Sequence, residues 1–311
     1  MKSVFCLSFD FELLLGYHDL SEKIYSKKKR NMQDVRRRIY DLINLLEKYD
    51  LKCTWAVVSH LFLDACSNHM DYHDKKWLVR DPNTDINTDP LWYGRDIVKR
   101  LLQNPNFEIA CHSFSHALFD RINEEQARYE LSKSEQLARE LGITLRSFVF
   151  PRNKVGHKKL LKEFRYITYR SEHTSAKKFS RFIDYIFPTD FRADIYSPKL
   201  VIPYVDEYGL VNIPSSMCLY NSGILRFVSS VSPRNYFQWK IRKGLEKLIS
   251  EGGVLHFFTH PHDFDRVLPK KDFQYLLELI QKYSVEGKLQ VLTMEEIADL
   301  WLREYSEGGR K

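Results

Sequence analysis

Apolar residues along this chain are spaced as in a protein built from alternating strands and helices. Residues 3–9 form a short apolar run that ends in acidic residues, which predicts a buried strand, and residues 53–58 form a second such run. Between them a helix is predicted near residues 33–49, because its apolar residues fall on one face: Ile39, Leu42, Ile43, Leu46 and Tyr49. The predicted order is strand, helix, strand.

The same unit recurs along the rest of the chain. Further strands are predicted at Phe107–Cys111, Leu145–Phe150, Val254–Thr259 and Leu289–Leu292. Further helices are predicted at Trp92–Gln103, across Ala127–Leu141, and at residues 272–283 and 294–304. Repeated units of this kind imply a parallel sheet or barrel covered by helices, so we expect an α/β fold in a single domain over residues 1–311.

Two stretches interrupt this pattern. Residues 66–90 are polar and rich in Asp, Asn and His, and residues 170–235 mix short aromatic segments with prolines. Long excursions in a compact domain are usually functional or disordered. We interpret both as loops near the mouth of a substrate site.

Composition places the protein among soluble globular proteins, with 43% hydrophobic and 29% charged residues. No apolar run reaches the roughly 18 residues of a membrane-spanning helix. Acidic residues interrupt the N-terminal apolar run before a secretory signal can form, so we expect a cytoplasmic protein. Five cysteines without a CxxC pair predict reduced thiols rather than a disulfide framework or a cysteine zinc site.

The net charge is +7, and basic residues gather at Lys27–Arg30, at Arg36–Arg38 and in residues 177–181. Such clusters form a solvated positive surface, or they attract phosphates or an anionic membrane face, which would give a peripheral membrane contact. The sequence has no zinc finger, helix-turn-helix signature or aromatic RNA-binding motif. We therefore expect no nucleic-acid partner.

Three of the predicted strands end in side chains that bind metals or move protons. These strand ends lie at residues 8–12, 108–116 and 254–262. A parallel β/α sheet places its active site at the carboxyl ends of its strands, so we expect the three segments to converge.

The strand ends contain two histidines and two carboxylates at spacings that suit a metal site. His112 and His116 are four residues apart, so one helical turn would bring both imidazoles to the same side. On an extended backbone Asp10 and Glu12 point to one side, so that one can bind a metal while the other accepts a proton. An Asp at a strand end can also simply cap the following turn.

The order of the motifs SFDFE, EIACHSFSH, SFVFPRN and LHFFTHPHDF resembles that of the NodB-homology polysaccharide deacetylases, the fourth carbohydrate esterase family. The motifs run from residue 8 to residue 264. HSFSH, which is similar to the family's HSxxH metal pair, is the most specific of them. The resemblance implies a distorted or incomplete (β/α) barrel of the NodB-homology type.

The resemblance also implies roles for individual residues. Asp10 is similar to the family's catalytic base, and His112, His116 and Glu12 to its metal ligands. Glu12 departs from the common TFDDG form, because it comes two residues after Asp10 and is not an aspartate. The implied ion is divalent, with zinc as the default and cobalt, nickel or manganese as alternatives.

The third and fourth motifs leave alternatives open. Val149 stands where the family has arginine, and Arg152 follows instead. Arg152 would orient Asp10 through an ion pair, or present its backbone N–H to the oxyanion. His260 is similar to the family's general acid. The alternative acids or substrate-binding residues are His256, His262 and Asn153.

The function that the resemblance implies is removal of an acetyl group, N-acetyl in preference to O-acetyl, from a sugar or glycan precursor. For a cytoplasmic protein, a lipid-linked or nucleotide-linked sugar in surface-polysaccharide biosynthesis fits better than a finished wall polymer. One alternative is a deformylase or cyclic amidohydrolase on the same fold. Another is a glycan-binding protein without catalytic activity.

Overall fold

The computed structural model describes residues 2–67, 77–172, 198–219 and 235–308. Strands in this part of the chain are β1 (Ser3–Phe11), β2 (Cys53–Val57), β3 (Phe107–Cys111), β4 (Ser147–Val149), β5 (Thr168–Arg170), β6 (Tyr204–Val205), β7 (Val211–Asn212), β8 (Met217–Cys218), β9 (Gly253–Thr259) and β10 (Gln290–Val291). The helices are α1 (Glu22–Asn31), α2 (Val35–Lys48), α3 (Arg95–Leu101), α4 (Glu124–Glu140), α5 (Lys158–Glu163), α6 (Tyr236–Glu251), α7 (Lys270–Val285) and α8 (Met294–Gly308).

The strands form one curled sheet in the order β6-β7-β5-β4-β3-β2-β1-β9-β8. Neighbours in this order are parallel, except that β6 and β7 are antiparallel. Strand β10 lies outside this order and pairs with the first half of β1, before β2 begins to pair with it. The predicted α/β fold, a distorted or incomplete barrel of the NodB-homology type, is confirmed.

Strand β1 lies at the centre of the fold and is buried on both faces, as expected for a strand of a helix-covered parallel sheet. Alternate residues point to opposite faces. Phe5, Leu7 and Phe9 belong to the large core formed with the surrounding helices. Val4 and Cys6 face a smaller core that is closed by α8. Ser8 and Asp10 continue this second face toward the carboxyl end of the strand.

Several predicted elements differ from those observed. The predicted helix at Trp92–Gln103 begins only at Arg95, after Gly94. Helices α1, α5 and α6 are absent from the predicted elements. Residues 170–235 were interpreted as a loop, but the described part contributes β6, β7 and β8 to the sheet.

Other predictions about the excursions and the basic clusters fall partly on residues outside this description. The described parts of the 66–90 excursion contain no strand or helix. Residues 68–76 of that excursion, residues 173–197 and 220–234 of the second, and the basic segment 177–181 lie outside the described residues. Among the helices in the described ranges, none has both the length and the apolar character needed to cross a bilayer.

Candidate active site

The structure brings the three predicted strand ends together at the carboxyl edge of the sheet. β1 pairs with β2 on one side and β9 on the other, and β2 pairs with β3. In this register Phe9 lies opposite Thr259, so the segments that follow β1 and β9 emerge side by side. The side chains of Asp10, Glu12, His112, His116 and His260 therefore meet at one edge.

Glu12, His112 and His116 form a buried group whose potential ligand atoms all lie within 4.8 Å of one another. The Glu12 carboxylate oxygen Oε2 is 3.1 Å from His116 Nε2 and 3.7 Å from His112 Nε2. The helical turn predicted between the two histidines is wrong. The segment is a loop in which Ser113 and His116 adopt positive φ angles of 62° and 63°, and this loop turns both imidazoles toward Glu12.

Hydrogen bonds to His112 and to the loop between the two histidines fix the orientation of both imidazole rings. The Nδ1–H of His112 donates to the Val149 carbonyl at 2.7 Å, which leaves the lone pair of Nε2 facing Glu12. A carboxylate of α4, Glu130, accepts from the backbone N–H groups of Phe114 and Ser115 at 2.8 and 2.9 Å and holds the loop between the histidines.

This donor set fits a divalent transition-metal ion. Two imidazole nitrogens and one carboxylate leave open coordination positions, as in catalytic zinc sites. Burial opposes ionisation of Glu12, but His260 and His116 hold the pKa of its carboxyl well below the ordinary value. Glu12 is therefore an anion ready to bind a cation. The role of these three residues as ligands stays a prediction.

Asp10 is held by an arginine that the sequence analysis did not identify. The guanidinium of Arg170, at the end of β5, donates to the two carboxylate oxygens of Asp10 at 2.7 and 2.6 Å. It also donates to Ser8 Oγ at 3.0 Å. Burial opposes ionisation of Asp10, but Arg170 holds its pKa below the ordinary value. Asp10 is therefore ionised and fixed in orientation.

The ion pair predicted between Arg152 and Asp10 is wrong. The Arg152 guanidinium instead donates to the two carboxylate oxygens of Asp19 at 2.8 and 2.5 Å, and to the Gly16 carbonyl at 3.3 Å. Arg152 and Asn153 both have positive φ angles, in a short turn after β4. Within the described part of the chain, Asn153 Oδ1 has no hydrogen-bond partner. Substrate binding by Asn153 stays a prediction.

The three candidate acids differ in environment. Burial lowers the pKa of His256 to about 3 and that of His262 to about 4. His256 Nε2 forms a hydrogen bond with the Ser8 hydroxyl at 2.9 Å. His262 Nε2 forms one with the Tyr17 hydroxyl at 2.7 Å. The side chain of His260 is 26% exposed, and its Nε2 lies 3.6 Å from Glu12 Oε1. Burial opposes its charge, but Glu12 and Asp10 raise the pKa of His260. His260 is therefore the best proton donor of the three.

The predicted basic cluster at Arg36–Arg38 is not a free positive surface. Arg36 pairs with Asp96, and Arg37 pairs with Asp34 and Asp41. Arg38 is only 3% exposed and donates to backbone carbonyls, among them that of His262 at 2.8 Å. This cluster stabilises the fold, including the segment after β9.

Comparisons with known proteins agree with this fold. A putative polysaccharide deacetylase from Mycobacterium smegmatis has a similar structure, with a TM-score of 0.63 and 14% identity over 98% of this chain and 92% of that one. A probable polysaccharide deacetylase from Pseudomonas aeruginosa PAO1 gives 0.60 and 12%, over 97% and 91%. The Puue allantoinase gives 0.56 and 11%, over 96% and 89%. These TM-scores show a shared fold, and sequence identities this low show nothing beyond the fold.

In sequence, no curated protein matches the chain. The family model for polysaccharide deacetylases matches residues 33–170, which include the His112–His116 pair and Arg170. The match covers less than half of the chain, so the chain is similar to the polysaccharide deacetylases in sequence over these residues, and it shares their fold over nearly its whole length.

Proposed function

We propose that this protein is a metal-dependent hydrolase that removes an acetyl group, N-acetyl in preference to O-acetyl, from a sugar. One observation carries the proposal. An ionised carboxylate, Asp10, and a partly exposed imidazole with a raised pKa, His260, flank the buried group of Glu12, His112 and His116. A base, an acid and a cation site are the groups that amide hydrolysis needs.

Glu12, His112 and His116 would hold the ion, zinc by default. Bound there, a divalent ion supplies Lewis-acid chemistry, polarising the acetyl carbonyl and making water more acidic. The Asp10 carboxylate accepts the proton of the attacking water, while Arg170 keeps that carboxylate in place. His260 donates a proton to the departing amine. Acetate and a free amino sugar result.

For the substrate we propose a lipid-linked or nucleotide-linked sugar handled in the cytoplasm, during surface-polysaccharide biosynthesis. Support comes from Lys28, whose Nζ lies 4.2 Å from the centre of the Tyr17 ring and 3.1 Å from its hydroxyl. Tyr17 in turn contacts His262, two residues after His260. A cation beside the site would favour a substrate that carries phosphate.

The test begins with metal content, measured by elemental analysis of the wild type and of the His112→Ala/His116→Ala variant. We expect the variant to contain about one equivalent less metal than the wild type. No difference, even after incubation with zinc, cobalt or nickel, would overturn the metal-dependent mechanism. It would favour a glycan-binding protein without catalytic activity.

The second step is a screen of acetylated and formylated amino sugars, together with cyclic amides. Release of acetate by the wild type, and its loss in the histidine variant, is the expected result. Release of formate, or opening of a cyclic amide, would instead show a deformylase or cyclic amidohydrolase on this fold. Phosphate-bearing and phosphate-free sugars are compared in the same screen to test the role proposed for Lys28.

A further inference from the structure

A second group of metal-binding side chains lies outside the site described above. His60 is in the short turn Ser59–Phe62 after β2, and Cys66 and Asp81 come from the segments that follow. Each offers one potential ligand atom, a ring nitrogen, a sulfur and a carboxylate oxygen, and these three atoms all lie within 4.8 Å of one another. The side chains of His60 and Asp81 are 0% and 1% exposed.

The positions of protons in this group point to a cation. His60 Nδ1 lies 3.2 Å from the Trp92 carbonyl, which can only accept, so Nδ1 carries the proton of a neutral ring. The lone pair of Nε2 then faces Asp81 Oδ2 at 2.8 Å. Two lone pairs at this distance repel each other unless a proton or a metal ion lies between them.

The third side chain completes a set of ligand atoms that suits a metal ion. The Cys66 thiol donates to the two oxygens of Asp81 at 3.3 and 3.5 Å, so a sulfur atom lies beside the nitrogen and oxygen atoms and would bind an ion by giving up its proton. Imidazole, thiolate and carboxylate are all ligands of zinc and of similar transition metals.

The group also has the supporting contacts of a metal site. Tyr93 Oη lies 3.1 Å from Cys66 Sγ, and the Asn83 backbone N–H donates to Asp81 Oδ1 at 2.9 Å. Such contacts orient the side chains that bind a metal ion. The contact of His60 Nδ1 with a carbonyl repeats the arrangement of His112.

We propose that His60, Cys66 and Asp81 bind a second divalent transition-metal ion, zinc or one of similar chemistry, as a structural anchor. The ion would tie the turn after β2 to residues 77–93. That segment contacts the turn that follows Glu12, through the Leu14 N–H donating to the Leu91 carbonyl at 3.2 Å and Arg80 donating to the His18 carbonyl at 2.7 Å. The second ion would therefore stabilise one wall of the candidate active site.

The experiment counts metal ions in the full chain, stripped with a chelator and reloaded with zinc or cobalt. We expect about two equivalents in the wild type and about one in His112→Ala/His116→Ala. Cys66→Ala and Asp81→Asn should each lose about one equivalent, and either change combined with the histidine pair should leave almost none. The matched control is Cys53→Ala, a buried cysteine at the opposite end of β2, which should keep both ions.

A spectroscopic readout makes the assignment independent of activity. Cobalt in the His112→Ala/His116→Ala variant should show a thiolate-to-cobalt charge-transfer band, and Cys66→Ala in that background should remove it. Circular dichroism confirms that each variant is folded. The proposal is overturned if the wild type binds no more than one equivalent, or if the second equivalent survives in both Cys66→Ala and Asp81→Asn.

Discussion

The guanidinium of Arg170 forms a buried bidentate ion pair with the carboxylate of Asp10, with contacts of 2.7 and 2.6 Å. The two residues are 160 positions apart and lie on β5 and β1. A planar guanidinium fixes both the position and the tilt of a carboxylate, which a point charge cannot do. Arg170 is therefore the residue that orients the proposed base.

Replacing Arg170 by lysine should keep the positive charge but lose this orientation. We expect kcat for acetate release to fall about 100-fold, as for other small misplacements of a catalytic group, with metal content unchanged. The matched control is Arg152→Lys, whose guanidinium pairs with Asp19 instead. A larger loss of activity in the control than in Arg170→Lys would contradict this assignment.

Gly16 keeps room for the carboxylate of Glu12. A Cβ atom at Gly16 would lie 2.2 Å from Cδ and Oε1 of Glu12, so Gly16→Ala must push that side chain aside. The end of a flexible side chain moves at little cost to the fold, so we expect a stable variant. Its metal affinity, measured by titration with zinc, should be about 10-fold to 100-fold weaker.

A contrasting variant tests whether any added methyl group would have the same effect. At Gly94 a Cβ atom would meet Leu61 Cβ and the Phe11 ring at 3.2 Å, both in the apolar core. We expect Gly94→Ala to lower thermal stability but to keep its metal. Equal metal affinities for the two variants would show that Gly16 does not set the position of Glu12.

The parts of the site predicted from sequence are those that follow long apolar runs. β1, β3 and β9 each end in acidic or histidine residues, and parallel pairing brings such ends together. Arg170 could not be identified in this way, because β5 has only three residues and too little pattern to mark a strand. The left-handed loop between the histidines was also missed, since neither Ser113 nor His116 is a glycine.

Two of the three helices absent from the prediction, α1 and α6, differ in the signal that their sequences carry. Of the ten residues of α1, only Tyr25 is buried, so no apolar face was available to detect. In α6, by contrast, Phe237, Ile241, Leu245 and Leu248 are buried at helical spacing. The spacing of these residues predicts a helix, although the irregular stretch 170–235 directly before it obscures where that helix begins.

Acid should destabilise the protein through His256. Burial, and then the neighbouring charge of Arg170, lowers the pKa of His256 from 6.5 to about 3. Between these values the unfolded chain binds a proton that the folded protein does not, so stability falls as pH decreases.

In His256→Gln the contribution of this histidine to the pH dependence of stability is absent. The gap in unfolding free energy between wild type and variant should narrow by about 2 kcal/mol from pH 7 to pH 5, measured by urea denaturation. A constant gap would contradict this.

Glu130 should affect metal affinity through its hydrogen bonds to the loop between His112 and His116. Its carboxylate accepts from Phe114 N–H, Ser115 N–H and the Ser115 hydroxyl, at 2.8, 2.9 and 2.6 Å. In Glu130→Gln an N–H₂ group replaces one acceptor, so the loop loses contacts and the imidazoles lose their alignment. We expect metal affinity to fall about 10-fold to 100-fold, and the free energy of unfolding to fall by about 1–3 kcal/mol.

The exposed Glu125→Gln on the same helix is the control, and it should change neither quantity. Unchanged zinc affinity in Glu130→Gln would show that the loop holds its conformation without this carboxylate.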